Sequence, residues 1–308
     1  MLLDELDRVL AAFREAGIEA IVLKGAALIR TVYSHPAQRP MSDVDLLVCR
    51  KVLLKASKLV QAMGYKVVRP HIQREWLLWQ TGHHLHLSSA QGGHVDIHWK
   101  LSTRRYGRPE VPASWPWENA FLLDVGFRTL RHEAHLLHLC NHLVLEHGFA
   151  QARLIWLYDL FRLFVRRLDW NWMKWQAESI GWQSALRLSL QTIQQCFPFT
   201  IPSSVRNLEP GPDEILAGRK MYILSRTENA WLIFRALPIR YKIRFILAYL
   251  FPHSLFLWHK YPWLPRGLLP LAYLVRLGDV FTATLQALWR HVRQRLHLLR
   301  CTSLLAIF

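Results

Sequence analysis

The chain has 308 residues, 52% of them apolar, and carries 39 Lys and Arg against 22 Asp and Glu, a formal charge of +17. That length and apolar content leave room for two cored domains and argue against long disordered stretches. The basic balance selects anionic partners, namely nucleotides, RNA, phosphorylated substrates or an acidic membrane surface, without choosing among them. Cys49, Cys140, Cys196 and Cys301 are scattered, with no Cys-x-x-Cys pair and no zinc spacing, which fits free, mostly buried thiols in a reducing cytoplasm. The amino terminus is acidic and no uninterrupted apolar segment follows it, so no signal peptide is expected.

In chain order, apolar residues at Leu3, Leu6, Val9, Leu10 and Phe13 predict a helix over 3–16, stopped by Gly17. A short buried strand over 18–23 then runs into Lys24-Gly25-Ala26 and a helix through about Tyr33. Glycine lets a backbone approach a phosphate closely, and the first N–H groups of the following helix point at whatever lies there. The loop Ala37 to Pro40 leads to Ser42-Asp43-Val44-Asp45 and an apolar strand over 43–49. Asp43 and Asp45 are two apart, so on a strand both face the same way. Two such charges repel unless a divalent cation sits between them; the competing use is a turn built on Ser42 and Asp43 with Asp45 solvated on an edge. Arg39 is placed to reach a phosphate or to lie solvated on its loop.

A helix over 51–63 ends at Gly64, and Tyr65 to Val68 begins another strand. His83 to Ser88 pairs with 94–101 across the turn Ala90-Gln-Gly-Gly93. In His94-Val95-Asp96-Ile97-His98 the alternation puts Asp96 on one face with His94 and His98, adding a third carboxylate to the sheet. Two acids that hold ions and a third that draws a proton from a hydroxyl, or shares the second ion, are what metal-dependent phosphoryl transfer requires. The histidines also admit a structural zinc, but no cysteine joins them and carboxylates suit magnesium better. His98 is placed to orient Asp96 or to touch a phosphate.

The motifs Leu23-Lys24-Gly25, Arg39-x-x-x-Asp43-x-Asp45-Leu46-Leu47-Val48 and Val95-Asp96-x-His98-Trp99 together resemble the DNA polymerase β-type nucleotidyltransferase superfamily, and within it the bacterial uncharacterised nucleotidyltransferases. The likeness continues through His138 to His142 and Leu157 to Leu160, as far as Trp170. It implies transfer of a nucleoside monophosphate from an NTP to an acceptor hydroxyl with release of pyrophosphate, Mg²⁺ (or Mn²⁺) on Asp43, Asp45 and Asp96, and phosphate contacts from Lys24, Gly25, Ala26, Arg39 and Ser42. The superfamily usually has Gly-Ser or Gly-Gly at the turn; here Ala26 follows Gly25, and a hydroxyl that would grip the terminal phosphate is missing. For the acceptor, the resemblance implies RNA, notably a tRNA end, or a peptide or small molecule.

Arg104 to Trp117 is a prolyl, basic linker, which places the domain boundary near 118, with a catalytic domain over 1–118 and a helical one over 119–308. A short apolar stretch spans 120–130, and helices are expected over 132–147, 154–167, 170–181 and 183–196. His142 and His147 match histidine positions of the family, and His142 is an accessory candidate. Asp159 lies in a very apolar helix, either paired with Arg153 or Arg162 or aimed at the site. From residue 229 on there are eleven basic residues against one acid, Asp279, interleaved with apolar and aromatic residues. That segment admits a solvated face over a core, an RNA-docking surface or a basic amphipathic element on a membrane; its longest uncharged run, 245–258, is too short to span one. The expected class is α+β, a small mixed sheet with flanking helices followed by a mostly helical region. The rival from another class is a non-catalytic anion- or membrane-binding module, against which the three intact acids argue.

Overall fold

The computed structural model describes residues 2–68, 79, 82–102, 110–123, 127–214 and 226–305. These form an α+β protein of two compact units, Met1–Arg69 with Thr81–Ile223, and Pro70–Gln80 with Leu224–Phe308.

The first unit is built on a seven-stranded mixed sheet. Helix α1 (Leu2–Glu15) buries Leu6, Val9 and Phe13 and ends at Gly17, whose φ of 66° is one that L side chains rarely adopt. Strand β1 (Ala20–Val22) and helix α2 (Lys24–Thr31) precede β2 (Val44–Val48), α3 (Leu53–Ala62) and β3 (Tyr65–Val67). The hairpin β4 (His84–Ser89) and β5 (His94–His98) follows, then α4 (Trp115–Glu118), β6 (Ala120–Leu122) and β7 (Arg128–Leu130). The order across the sheet is β3-β4-β5-β2-β1-β7-β6, with β2 parallel to β5 and antiparallel to β1.

Strand alternation gives this sheet two different faces. On one, Val44, Leu46 and Val48 of β2, Val95 and Ile97 of β5 and Leu87 of β4 are buried, with α3 packed against β4 and β5. The register puts polar residues side by side on the other: His84 opposite His98, His86 opposite Asp96, and Asp96 beside Asp45.

Four helices complete the first unit's larger core: α5 (His132–Asn141), α6 (Leu154–Phe164), α7 (Trp170–Ile180) and α8 (Gln183–Cys196). Asp169 caps α7, its Oδ1 accepting from the Trp172 N–H at 2.9 Å. Gly181 ends that helix in the left-handed region. Buried Asp213 accepts from the N–H groups of Ser184 and Ala185, the free donors at the start of α8. A short helix α9 (Ser203–Arg206) follows.

Several expectations change. The strands β6 and β7, from the apolar stretch after residue 118, pair with each other, and β7 pairs with β1, so the sheet and the first unit continue past the expected boundary position. The single helix over 132–147 is α-helical only to Asn141 and continues as a π turn, His142–His147. Of the cysteines whose side chains are described, Cys140 is buried but Cys49 and Cys196 are exposed. Most of the expected linker, residues 103–109, lies outside the described residues.

The second unit is helical: α10 (Arg226–Ala236), α11 (Ile239–Leu250), α12 (Ser254–Lys260) and α13 (Leu269–Leu305). Phe256, Leu257, Tyr261, Leu264 and Ala272 form one small core, and Leu237 with Phe245 another. Among the described residues no helix is long and apolar enough to cross a membrane.

Candidate active site

The Leu23 N–H donates to the Asp45 carbonyl at 3.0 Å, carrying the β1–β2 ladder one residue beyond the strand and fixing Lys24 beside Asp45. Lys24 has φ of 49°, the sole positive φ outside glycine among the described residues, as the chain turns from β1 into α2. Its Nζ donates to Asp45 Oδ1 at 2.6 Å. The same oxygen lies 2.8 Å from His98 Nε2. Burial opposes the charge of Asp45, yet Lys24, and then His98, hold its carboxyl well below the usual carboxylate range.

Asp96 Oδ1 lies 2.5 Å from His86 Nδ1, and Asp96 Oδ2 lies 4.0 Å from His84 Nε2. Asp45, Asp96 and His98 offer ligand atoms all within 4.8 Å of one another. Asp43 stands at the entrance to β2 and accepts from the exposed Ser42 hydroxyl at 3.3 Å. Burial, and then the neighbouring charge of Asp45, push its carboxyl up, with Lys24 opposing and Asp96 adding to the rise. The acids are therefore close enough to feel one another, a repulsion that a cation relieves. Oxygen donors with one imidazole fit a hard or borderline divalent ion, which Asp45, Asp96 and His98 could hold.

Buried Gly25 and Ala26 follow Lys24 in the first turn of α2, where backbone N–H groups have no intrahelical acceptor. A Cβ on Gly25 would lie 3.1 Å from the Arg39 guanidinium carbon, so glycine here makes room for Arg39.

Arg39 is neither solvated nor open to a ligand. Its Nε and Nη2 donate to the Asp159 carboxylate at 2.8 to 3.1 Å, and its Nη1 to the Pro40 carbonyl at 2.6 Å. The Tyr33 hydroxyl donates to Asp159 Oδ1 at 2.7 Å. Burial raises the Asp159 carboxyl while Arg39 and Tyr33 pull it back. Asp159 thus pairs with Arg39, not with Arg153 or Arg162: Arg153 lies over Trp156, and Arg162 donates to the Val32 carbonyl and covers Tyr33. The pair ties the loop before the acids to α6. Asp159→Asn should lower the unfolding free energy by about 3–5 kcal/mol, because it leaves the guanidinium buried without its counter-charge; urea denaturation checks this, and a loss under about 1 kcal/mol would show that solvent reaches Arg39.

His98 bonds to Asp45 rather than to Asp96, whose partner is His86. The four-residue turn between the strands sets the register that puts His86 opposite Asp96. His142 packs against His147 and Trp156, with ring centroids 4.5 and 5.0 Å away. His135 and His138 are buried, and His138 has both ring nitrogens without a hydrogen-bond partner among the described residues.

Residues 1–198 match the family model described as uncharacterised nucleotidyltransferase. No curated protein sequence matches the chain. Solved structures that match include the antibiotic-resistance factor ANT(2'')-Ia, at 11% identity and a TM-score of 0.38 over 64% of this chain and 92% of that one. Others are the lincosamide antibiotic adenylyltransferase LnuA (17% identity, TM-score 0.36, 52% of this chain and 94% of that one) and a nucleotidyltransferase-like protein from Paracoccidioides brasiliensis (18%, 0.34, 62% and 86%). With the family model covering well over half of its length, the chain belongs to the uncharacterised nucleotidyltransferases and is a transferase enzyme.

Proposed function

We propose that the protein transfers a nucleoside monophosphate from a nucleoside triphosphate to an acceptor hydroxyl, with Asp43, Asp45 and Asp96 as the catalytic carboxylates. The observation that carries this reading is the parallel register that sets Asp45 beside Asp96, with the Lys24 ammonium on the Asp45 carboxylate. The three acids and His98 fit Mg²⁺ or Mn²⁺ as the resident ion. When bound, such an ion supplies charge neutralisation for the triphosphate and for the oxygens that enter and leave.

The chain's own groups do the rest. Lys24 and the N–H groups of Gly25 and Ala26, at the positive end of the α2 dipole, attract the phosphates. Ser42 is exposed beside Asp43 and can donate to a phosphate oxygen. Arg39 serves by position: tied to Asp159, it braces the loop that presents Asp43. Asp96, steered by His86, takes the proton of the acceptor hydroxyl as its oxygen bonds to the α-phosphorus. The bond from that phosphorus to the bridging oxygen breaks, and pyrophosphate leaves with the electron pair.

The test is incubation with each α-labelled NTP, Mg²⁺ or Mn²⁺, and either total RNA or a small-molecule and peptide extract. Label should reach one acceptor class only when the divalent ion is present. No transfer to either class from any NTP, by protein that still binds the nucleotide, would favour the non-catalytic module instead.

A further inference from the structure

Helix α11 has two apolar faces. Phe245 and Ala248 are buried on one, within the core around Leu237. Ile239, Ile243, Ile246 and Leu247 follow at offsets of four, seven and eight, a single stripe, and it faces solvent: Ile239 is 80% exposed and Ile243 71%. Exposed Arg240 and Arg244 flank it. Helix α13 shows the same habit, with Leu274, Phe281, Leu285 and Leu288 all exposed at helical spacing. Of the 22 large apolar residues exposed among the described residues, the 15 from Trp231 to Trp289 lie in this unit. A soluble surface of this size seldom leaves so much apolar area uncovered without a partner.

Charge decides which partner. From residue 229 on, eleven basic residues face one acid. That acid, Asp279, already accepts from Lys260 Nζ at 2.5 Å and the Tyr261 hydroxyl at 2.7 Å. A second copy would set one strongly positive surface against another. A nucleic acid would match the charge and could stack bases on exposed rings elsewhere in the unit, but the α11 stripe itself is aliphatic and gives a base nothing to stack on. An anionic bilayer surface satisfies both features at once, its headgroups taking the arginines and its acyl boundary the aliphatic stripe. Exposed Trp231, Trp263 and Trp289 are of the type that settles at that boundary.

We propose that the carboxy-terminal helical unit docks this transferase on anionic lipid bilayers through the exposed stripe of α11, with its helices lying in the interface and not spanning it. The test is co-sedimentation of the full-length protein with vesicles of phosphatidylcholine alone or of equal parts phosphatidylcholine and phosphatidylglycerol. Binding is expected on the anionic vesicles only, and should weaken with salt. The double replacement Ile243→Glu with Leu247→Glu should weaken it about tenfold or more at unchanged helicity, and Arg240→Glu with Arg244→Glu should do likewise, giving a second reading if the first variant fails to fold. Equal retention on neutral vesicles, or anionic binding that neither variant disturbs, overturns the proposal. So does lipid-free self-association that the apolar variant abolishes, which would assign the stripe to a second copy. Tighter binding to total RNA than to anionic vesicles, insensitive to the apolar variant, overturns it as well.

Discussion

Asp45→Asn should cut nucleotidyl transfer roughly 10³-fold or more, because the several kcal/mol of charge stabilisation that a metal-binding carboxylate secures is lost with it. The change is nearly isosteric, so the β2 core formed by Val44, Leu46 and Val48 stays intact. What it alters is electrostatic: Lys24 Nζ and His98 Nε2 both meet Asp45 Oδ1, and a neutral amide there holds neither as firmly. Asp96→Asn should cause a comparable loss, because it removes both a ligand of the proposed ion and the proposed proton acceptor beside His86. Steady-state pyrophosphate release at saturating NTP, with circular dichroism to confirm the fold, measures both. An Asp45→Asn enzyme within tenfold of the parent would remove the carboxylate from the reaction.

Acid should destabilise the first unit well before its carboxylates titrate, and the cause lies on α5 and the π turn that continues it. Burial lowers His135 to about 3 and takes His138 and His142 well below their ordinary 6.5. Lys24 adds to the depression of all three. In the window between 6.5 and those folded-state values the unfolded chain binds more protons than the folded one, so stability is present near neutrality and falls as the pH drops. Each such histidine contributes up to about 1.4 kcal/mol per pH unit, so the three together approach about 4 kcal/mol per unit below about pH 5.5. Asp43, Asp159 and Asp213, raised by burial, act in the opposite sense but only upward from 3.8. Urea midpoints taken from pH 7 down to pH 5 should therefore shift steeply. His138→Leu, which removes a group with both ring nitrogens unpartnered, should flatten the slope by about one proton. A flat profile would mean these histidines are solvated.

What was legible in the sequence was local. The periods that mark α1, α3 and the β4–β5 hairpin are carried by neighbouring residues, and so is the same-face logic of Asp43 and Asp45. The adjacency of Asp45 and Asp96 needed only the likeness to a known order of motifs. Long-range pairings were not legible: Arg39 finds Asp159 across 120 positions, and no spacing rule distinguishes that partner from Arg153 or Arg162. The short strands β6 and β7 were missed because three residues are too few to show a period, and their place in the sheet depends on β1. The continuation of α5 as a π turn at His142 has no signal in the local period; within that turn His142 and His147 both meet the Trp156 ring.

The account rests on Asp43, Asp45 and Asp96 acting on one divalent ion, and Mn²⁺ titration of the full-length protein by electron paramagnetic resonance, with a non-hydrolysable NTP analogue present, tests it most directly. The wild type should bind Mn²⁺ saturably, and Asp43→Asn, Asp45→Asn and Asp96→Asn should each weaken that binding more than about tenfold. Wild-type affinity in Asp96→Asn, alongside loss in the other two, would contradict it.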